Sequence, residues 1–343
     1  MSEILCERRG AAGLVTLNRP QALNALTHGM VRELRAALDG WAGDPAVACV
    51  VVAAAGERAF CAGGDIRHLY ELGRAGRHDE ALQFWRDEYA LNVVIEGYGK
   101  PYVALIDGLV MGGGVGISLH GSHRVAGERY QFAMPEVGIG FFPDVGATYA
   151  LPRLPDGFGT YLALTGARVG AADALALGLA THAVRSADLP ALRDALVAGE
   201  PVDAVLHRFA HEPGPPALLE HRATVTRCFS GETVAEILAR LDGEGNEFAS
   251  RTAATIRAKS PTSLAVALEQ MRRGEGLSFA DAMRTEFRIV SRIIAGADFY
   301  EGVRAAIIDK DGAPRWDPAA LDAVDPDVVA RHFAPVPAEL ELP

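Results

Sequence analysis

The sequence predicts an α/β core followed by a helical C-terminal region. In the first half, short apolar runs rich in Val and Ile alternate with longer stretches whose apolar residues recur at helical spacing. From about residue 187 the strand signals disappear and helical patterns dominate. We therefore expect a strand-bearing core over residues 1–186 and a helical region over residues 187–343.

The elements follow in order along the chain. Strands are predicted where four or five apolar residues stand between Gly, Pro or Asp: 14–17, 49–53 and 102–106. Core helices are predicted where apolar residues recur every three or four positions: 29–41, 79–95, 157–164 and 171–177. Asp156 and Gly170 are the expected N-caps of the last two. The same periodicity predicts five C-terminal helices: 189–197, 233–241, 250–259, 262–272 and 278–294.

Composition excludes several classes of protein. Of 343 residues, 49% are hydrophobic and 22% charged, which is typical of a globular protein, and the net charge of −11 argues against nucleic acid as a partner. No apolar run approaches the roughly 18 residues that cross a bilayer, and no secretory signal is evident. The four scattered cysteines are typical of free thiols in a reducing cytosol. We predict a soluble, cytoplasmic protein with no membrane partner.

Three glycine-rich segments stand out as candidate functional turns. They are Phe60-Cys-Ala-Gly-Gly-Asp-Ile66, Met111-Gly-Gly-Gly-Val-Gly116 and the stretch from Phe132 to Gly146. Glycine where a strand turns into a helix lets the backbone approach a ligand and leaves N–H groups free to bind it. Two such turns can converge on one oxygen as an oxyanion hole, although each alone is equally well explained as a tight turn. Neither run has the Lys-Ser/Thr of a phosphate-binding loop.

Two carboxylates lie in the third segment, which is otherwise almost free of charge. Glu136 and Asp144 stand eight positions apart among Phe, Met, Ile and Val. Burial of a carboxylate there raises its pKa toward values useful in acid–base catalysis. Helix capping or a buried ion pair is the alternative explanation.

A metal site and a cysteine nucleophile are both disfavoured. His68, His120 and His123 show no helical pairing with a glutamate of the kind that zinc sites use. Cys61 stands beside the first glycine turn, but no His or Asn partner that would activate it is evident. We interpret it as a small residue that fills a tight turn.

Taken together, these segments resemble the crotonase (enoyl-CoA hydratase/isomerase) superfamily. The residues that carry the resemblance are the first two glycine turns and Pro135-Glu136, supported by Leu17-Asn-Arg-Pro20 and Leu164-Thr-Gly166. The resemblance implies the ββα spiral fold, with an acyl-CoA bound along the core. It also implies that the N–H groups of Gly64 and Gly113 hold the thioester carbonyl.

One departure from the hydratase pattern indicates which branch the chain belongs to. Hydratases use a first glutamate shortly after the second glycine turn, and this chain has Gly116 there. Asp144 stands where a typical hydratase has glycine, within Phe142-Pro-Asp-Val-Gly146. This pairing with Glu136 resembles the 3-hydroxyisobutyryl-CoA hydrolase subfamily, as does Glu88 in Phe84-Trp-Arg-Asp-Glu-Tyr89. The Ser260-Pro-Thr-Ser-Leu264 segment resembles its C-terminal region.

The resemblance implies the hydrolysis of a short 3-hydroxyacyl-CoA, most simply 3-hydroxyisobutyryl-CoA in valine breakdown, to the free acid and CoA. Glu136 would act as nucleophile or as general base, and the sequence leaves both open. Asp144 would position water or protonate the departing thiolate, and Glu88 would contact the acyl part. No metal or redox cofactor is expected, because a thioester is already activated. A hydratase or isomerase, or a non-catalytic acyl-CoA-binding protein, is the alternative.

The superfamily forms trimers, so a homo-oligomer is one expectation, although the helical C-terminal region could cover the surface that trimers use.

Overall fold

The computed structural model describes residues 2–343 as ten strands and a larger number of helices. The strands are β1 (Ile4–Arg9), β2 (Ala12–Leu17), β3 (Cys49–Ala54), β4 (Ala59–Cys61), β5 (Tyr102–Ile106), β6 (Leu109–Met111), β7 (His123–Ala126), β8 (Gln131–Ala133), β9 (Val169–Gly170) and β10 (His182–Ala183). Six form one sheet in the order β1-β2-β3-β5-β7-β10, and four form a second in the order β4-β6-β8-β9.

The first nine helices accompany the strands or follow them directly. They are α1 (His28–Ala42), α2 (Ile66–Arg74), α3 (His78–Glu96), α4 (Gly113–Gly116), α5 (Ala147–Ala150), α6 (Phe158–Thr165), α7 (Ala171–Leu177), α8 (Leu189–Val197) and α9 (Val202–Phe209). The remaining helices are α10 (Arg222–Cys228), α11 (Val234–Gly243), α12 (Glu247–Arg257), α13 (Pro261–Gly274), α14 (Phe279–Ile293), α15 (Asp298–Val303) and α16 (Pro326–Phe333).

From β3 to β8, consecutive strands alternate between the two sheets. The chain passes from β3 to β4, from β5 to β6 and from β7 to β8, and each step moves from the larger sheet to the smaller one. The neighbours β2, β3, β5 and β7 are parallel, and so are β4, β6 and β8. Each turn of the chain therefore adds one strand to each sheet. This is the ββα spiral that the family resemblance implies, and the fold prediction is confirmed.

The C-terminal helices share a core with the strand-bearing part. One cluster of buried apolar side chains includes Leu17 and Val52 from the larger sheet together with Leu264, Phe287 and Val303 from the helical region. Burial of this shared surface stabilises the contact by about 25 cal/mol per Å² of apolar area. As a division between two domains, the boundary at residue 186 stays a prediction.

The predicted elements agree with the structure within a few residues, and one predicted cap is wrong. The strand predicted at 102–106 and the helices predicted at 171–177 and 189–197 have the observed bounds. Asp156 does not cap α6: the N-cap is Gly157, with φ of 80°, and the Asp156 carboxylate pairs with Arg222 instead. None of the helices within residues 2–343 combines the length and apolar character that a membrane crossing requires.

Candidate active site

Three adjacent parallel strands of the four-stranded sheet end at the same edge. The chain that leaves β4 reaches Gly64 within three residues, the chain that leaves β6 reaches Gly113 within two, and the chain that leaves β8 reaches Glu136 within three. Because the carboxyl ends of neighbouring parallel strands lie at one edge of a sheet, the topology brings these three residues together. They are far apart in sequence and adjacent in space for this reason.

A cavity of about 370 Å³ lies at this edge. All five residues singled out in the sequence line it: Gly64, Glu88, Gly113, Glu136 and Asp144. Its apolar walls come from six further residues: Ile66, Phe84, Trp85, Ile139, Phe141 and Ile307. A larger groove of about 730 Å³ between α11, α13 and α16 contains none of the five. We identify the smaller cavity as the candidate active site.

The two glycine turns place two backbone N–H groups side by side. Gly63 and Gly112 precede the donors with φ of 113° and 44°, which only glycine adopts readily. A Cβ atom built on Gly113 would lie 3.4 Å from the nitrogen of Gly64. Neither N–H donates a hydrogen bond to any residue in 2–343. Gly113 is the first residue of α4, and the first N–H groups of a helix have no partner within the helix. Both glycines line the cavity, and within residues 2–343 their N–H groups are without a partner, so they are available to a ligand.

Glu88 and Glu136 bring two carboxyl groups with unfilled hydrogen-bonding capacity. Within residues 2–343, Glu88 Oε1 and Glu136 Oε2 are buried and have no hydrogen-bond partner. Burial raises the pKa of Glu136 well above 4.5, and the charge of Asp144 adds to the effect. The pKa of Glu88 is raised by burial and then by Asp144 and Glu286. Buried polar atoms without partners in a cavity are suited to bind a ligand.

Asp144 is the third carboxyl group of the cavity, and Tyr89 of α3 holds it through a hydrogen bond. The hydroxyl of Tyr89 donates to Asp144 Oδ2 at 2.9 Å. Burial raises the pKa of Asp144 from 3.8 to about 7, against the Tyr89 hydrogen bond, which lowers it. Near neutral pH this carboxyl group can therefore hold or release a proton.

The position that carries a glutamate in hydratases has no room for one here. A Cβ atom built on Gly116 would lie 2.8 Å from Asn92 Nδ2 and 2.8 Å from Val145 Cβ. Real Cβ atoms essentially never approach other heavy atoms more closely than 3.0 Å. The amide of Asn92 and the side chain of Val145 thus fill the space into which a second glutamate would extend.

The C-terminal region contributes residues to the site that sequence reasoning missed. Lys259 and Ile307 line the cavity, and the Lys259 ammonium lies 3.2 Å from where a Cβ atom on Gly138 would stand. Glu286 of α14 and Gln270 of α13 are fully buried and bind the chain around Asp144. Their only signal in the sequence is a polar residue at a position of the helical repeat that faces the core.

Cys61 and His120 lie where a structural role is sufficient. Cys61 is fully buried, and burial raises the pKa of its thiol to about 12, so it is a poor nucleophile. The His120 ring is bonded to the carbonyl of Val145 at 2.7 Å, and burial lowers its pKa to about 4. Residues 2–343 contain no group of three or more His, Cys, Asp or Glu arranged to hold a metal ion.

The buried acids make stability depend on pH, and we expect the free energy of unfolding to fall as pH rises from about 5 to about 8. In the folded chain the pKa of Asp144 is about 7 against an ordinary 3.8, and that of Glu286 is about 8 against 4.5. In this window the unfolded chain releases protons that the folded chain retains, so raising pH favours unfolding. Urea unfolding at a series of pH values measures the slope. Asp144→Asn should make it shallower, and a stability that rises through the window would contradict the assignment.

Comparison with known proteins agrees with this geometry. The family described as "Enoyl-CoA hydratase/isomerase" matches residues 12–333. A protein of Xenopus tropicalis named "3-hydroxyisobutyryl-CoA hydrolase, mitochondrial" is 44% identical over 341 residues, which cover 96% of this chain and 88% of that protein.

Two solved structures have nearly the same fold over the whole chain. A protein described as "Carnitinyl-CoA dehydratase" from Mycobacterium thermoresistibile has a TM-score of 0.96 and 43% identity, and covers 99% of both chains. One described as "enoyl-CoA hydratase" from Rhodobacter sphaeroides 2.4.1 has a TM-score of 0.93 and 44% identity, and covers 99% of this chain and 100% of that one. The chain therefore belongs to the enoyl-CoA hydratase/isomerase (crotonase) family and, within it, to the subfamily of the 3-hydroxyisobutyryl-CoA hydrolases.

Proposed function

We propose that this chain hydrolyses a short 3-hydroxyacyl-CoA thioester, 3-hydroxyisobutyryl-CoA above all, to the free acid and CoA. The observation that carries the proposal is one cavity lined by Gly64, Gly113 and Glu136. Within residues 2–343, the N–H groups of the two glycines and the Oε2 atom of Glu136 have no hydrogen-bond partner. The name of the Xenopus tropicalis relative supports the same substrate. With that substrate, the reaction belongs to valine breakdown.

The N–H pair would bind the thioester carbonyl oxygen. Attack on the carbonyl carbon places negative charge on this oxygen, and two fixed donors stabilise the charge without reorganising. Removal of one such donor in acyl-transfer enzymes raises the activation free energy by about 3–4 kcal/mol. The apolar wall of Phe84, Trp85 and Phe141 excludes water and strengthens this interaction.

Glu136 would begin the reaction in one of two ways. As nucleophile, its carboxylate bonds to the carbonyl carbon, the carbon–sulfur bond breaks, and water then hydrolyses the mixed anhydride and restores the carboxylate. As general base, it takes a proton from water, which attacks the carbonyl directly. In both cases CoA leaves as a thiolate, and Asp144, with its raised pKa, would supply the proton that the thiolate accepts.

Glu88 would recognise the hydroxyl group of the acyl part. Its Oε1 atom lies 2.5 Å from where a Cβ atom on Gly113 would stand, so it is close to the proposed oxyanion donors. Oε1 is buried and has no partner within residues 2–343. A substrate hydroxyl would satisfy it, whereas an acyl chain without a hydroxyl would leave it unpaired, which costs about 1–3 kcal/mol.

Hydration of an enoyl-CoA is the second candidate, because the Rhodobacter sphaeroides protein is described as an enoyl-CoA hydratase. Addition of water across a double bond in this superfamily uses two glutamates. The space for the first is filled by Asn92 and Val145 beside Gly116, so we place thioester hydrolysis ahead of hydration. A non-catalytic acyl-CoA-binding protein would need neither Glu136 nor Asp144.

The deciding experiment follows two reactions in parallel on the purified protein. Thiol release is measured with 3-hydroxyisobutyryl-CoA and 3-hydroxypropionyl-CoA, and hydration of crotonyl-CoA is measured by loss of enoyl absorbance. We expect thiol release without hydration, and a decrease of about 10²-fold in kcat for Asp144→Asn, which loses its acid. Hydration that persists in Asp144→Asn without thiol release would instead establish a hydratase. Tight CoA binding with neither reaction would indicate a binding protein.

Three further expectations stay predictions. The proposed reaction needs no metal or redox cofactor, because the thioester is already activated. A cytoplasmic location was expected from the sequence, whereas the Xenopus tropicalis relative is named a mitochondrial protein. A homo-oligomer is expected from the family.

A further inference from the structure

The turn that carries Asp144 has a strained backbone. Val145, directly after it, has φ of 53°, and Gly146 has φ of 91°. A β-branched residue such as valine is rarely found in the left-handed region. Such a conformation is energetically unfavourable and persists only where the surrounding structure enforces it. The contacts that enforce it here identify what fixes the direction of the Asp144 side chain.

Glu286 of α14 makes the most direct of these contacts. Its side chain is fully buried, and its two oxygens accept hydrogen bonds from two backbone N–H groups: Oε2 from Gly146 at 2.8 Å and Oε1 from Thr148 at 2.9 Å. These N–H groups lie at the start of α5, whose N-cap, Gly146, has no side chain to satisfy them. A carboxyl group from a remote helix therefore caps the helix that follows the strained turn.

Two further side chains hold the same segment. Gln270 of α13 donates through Nε2 to the carbonyl of Pro143 and, at 2.7 Å, to Thr148 Oγ1. The His120 ring contacts the carbonyl of Val145 at 2.7 Å. Residues on both sides of Asp144 are thus fixed by groups that do not line the cavity, and Glu286 alone among them is a carboxyl group.

We propose that Glu286 is a positioning residue: by holding the turn at Val145 and Gly146, its carboxyl group aims the carboxyl group of Asp144 into the cavity. This inference rests on the role of Asp144 in the proposed function. Burying a carboxyl group is expensive unless it is well paired, and a core packed for stability alone does not require one. The carboxyl group offers one oxygen to each of the two N–H donors. An apolar side chain offers no acceptor oxygen, and an amide side chain offers one.

Glu286→Gln tests the proposal. Glutamine keeps one acceptor oxygen but turns an NH₂ group toward the second N–H donor, so the turn loses one hydrogen bond. We expect kcat for thiol release to fall about 10- to 100-fold, as for other small misplacements of a reacting group, with KM unchanged. Thr285→Val is the matched control. Thr285 is the buried neighbour on α14, and within residues 2–343 its hydroxyl bonds only to the carbonyl of Asp281 in the same helix. Loss of this hydroxyl should leave kcat unchanged.

A double-mutant cycle separates positioning from general destabilisation. If Glu286 acts through Asp144, then adding Glu286→Gln to Asp144→Asn should lower kcat by no more than about threefold further, because the two changes remove one function. Fully additive effects, or a normal kcat in Glu286→Gln, would overturn the proposal.

Hydrogen exchange tests the contact without any substrate. The amides of Gly146 and Thr148 should exchange faster in Glu286→Gln than in Thr285→Val, since their acceptor is altered, and equal rates would overturn the proposal. If the wild-type protein released no thiol, the proposed function would fail, while faster exchange in Glu286→Gln would still support the hold on the turn. The two failures are therefore distinguishable.

Discussion

Replacement of Glu136 by glutamine is expected to lower kcat for thiol release by about 10³- to 10⁴-fold, because glutamine is neither a nucleophile nor a base at neutral pH. Glu136 is the carboxyl group at the end of β8, in the cavity with the free N–H groups of Gly64 and Gly113. The proposed chemistry begins at this carboxyl group whichever of its two routes applies. Thiol release from 3-hydroxyisobutyryl-CoA under saturating substrate measures the change.

The same substitution should not lower the melting temperature. Burial raises the pKa of Glu136, which means that the folded chain disfavours its ionised form, and glutamine removes that penalty at nearly constant volume. Glu247→Gln, on the exposed surface of α12, is the control for changing a carboxylate to an amide. If Glu136→Gln kept more than a tenth of the wild-type kcat, the chemistry would have to begin at another group.

Replacement of Gly113 by alanine is expected to lower kcat by about 10²- to 10³-fold, the range for loss of one oxyanion donor. The new methyl group would lie 2.5 Å from Glu88 Oε1, closer than real Cβ contacts, and 3.0 Å from Leu26 Cδ1, tighter than most of them. Glu88 or the turn must move, and the spacing between the two N–H groups changes with it. Binding of CoA itself should weaken far less than turnover.

Gly170→Ala is the matched control for Gly113→Ala. Gly170 also stands directly before a helix, but a Cβ atom there would have no heavy atom within 4 Å. We expect wild-type kcat in this variant. Full activity in Gly113→Ala would mean that the carbonyl oxygen binds elsewhere, and the assignment of the two glycine turns would have to be abandoned.

The part of the site carried by continuous motifs could be predicted from the sequence. Gly64, Gly113 and Glu136 each follow a strand within three residues, so local patterns mark them, and the structure places all three around one cavity. The strands themselves were harder to recognise. β4, β6 and β8 have only three residues each, too few for an alternating or apolar pattern to stand out.

The supporting residues could not be predicted, because their partners are remote in sequence. Glu286 bonds to Gly146 across 140 positions and Gln270 bonds to Thr148 across 122. On an amphipathic helix a single polar residue facing inward gives no indication of what it contacts. The prediction that Asp156 caps α6 was wrong for a related reason. The sequence is compatible with a local cap, but in the structure the Asp156 carboxylate pairs with Arg222, which is remote in sequence.

The bond between Gly146 and Glu286 also bears on how the protein is made. The chain is synthesised from its N-terminus onward. Both glycine turns and Glu136 lie in the first half of the sequence, so they are translated before the second half. The acceptor for the Gly146 and Thr148 amides is added only 138 or more residues later. A nascent chain that stops before α14 contains every strand of both sheets, yet it lacks the carboxyl group that holds the strained turn. With the proposed role of Glu286, the group that aims Asp144 is among the last parts of the active site to be synthesised.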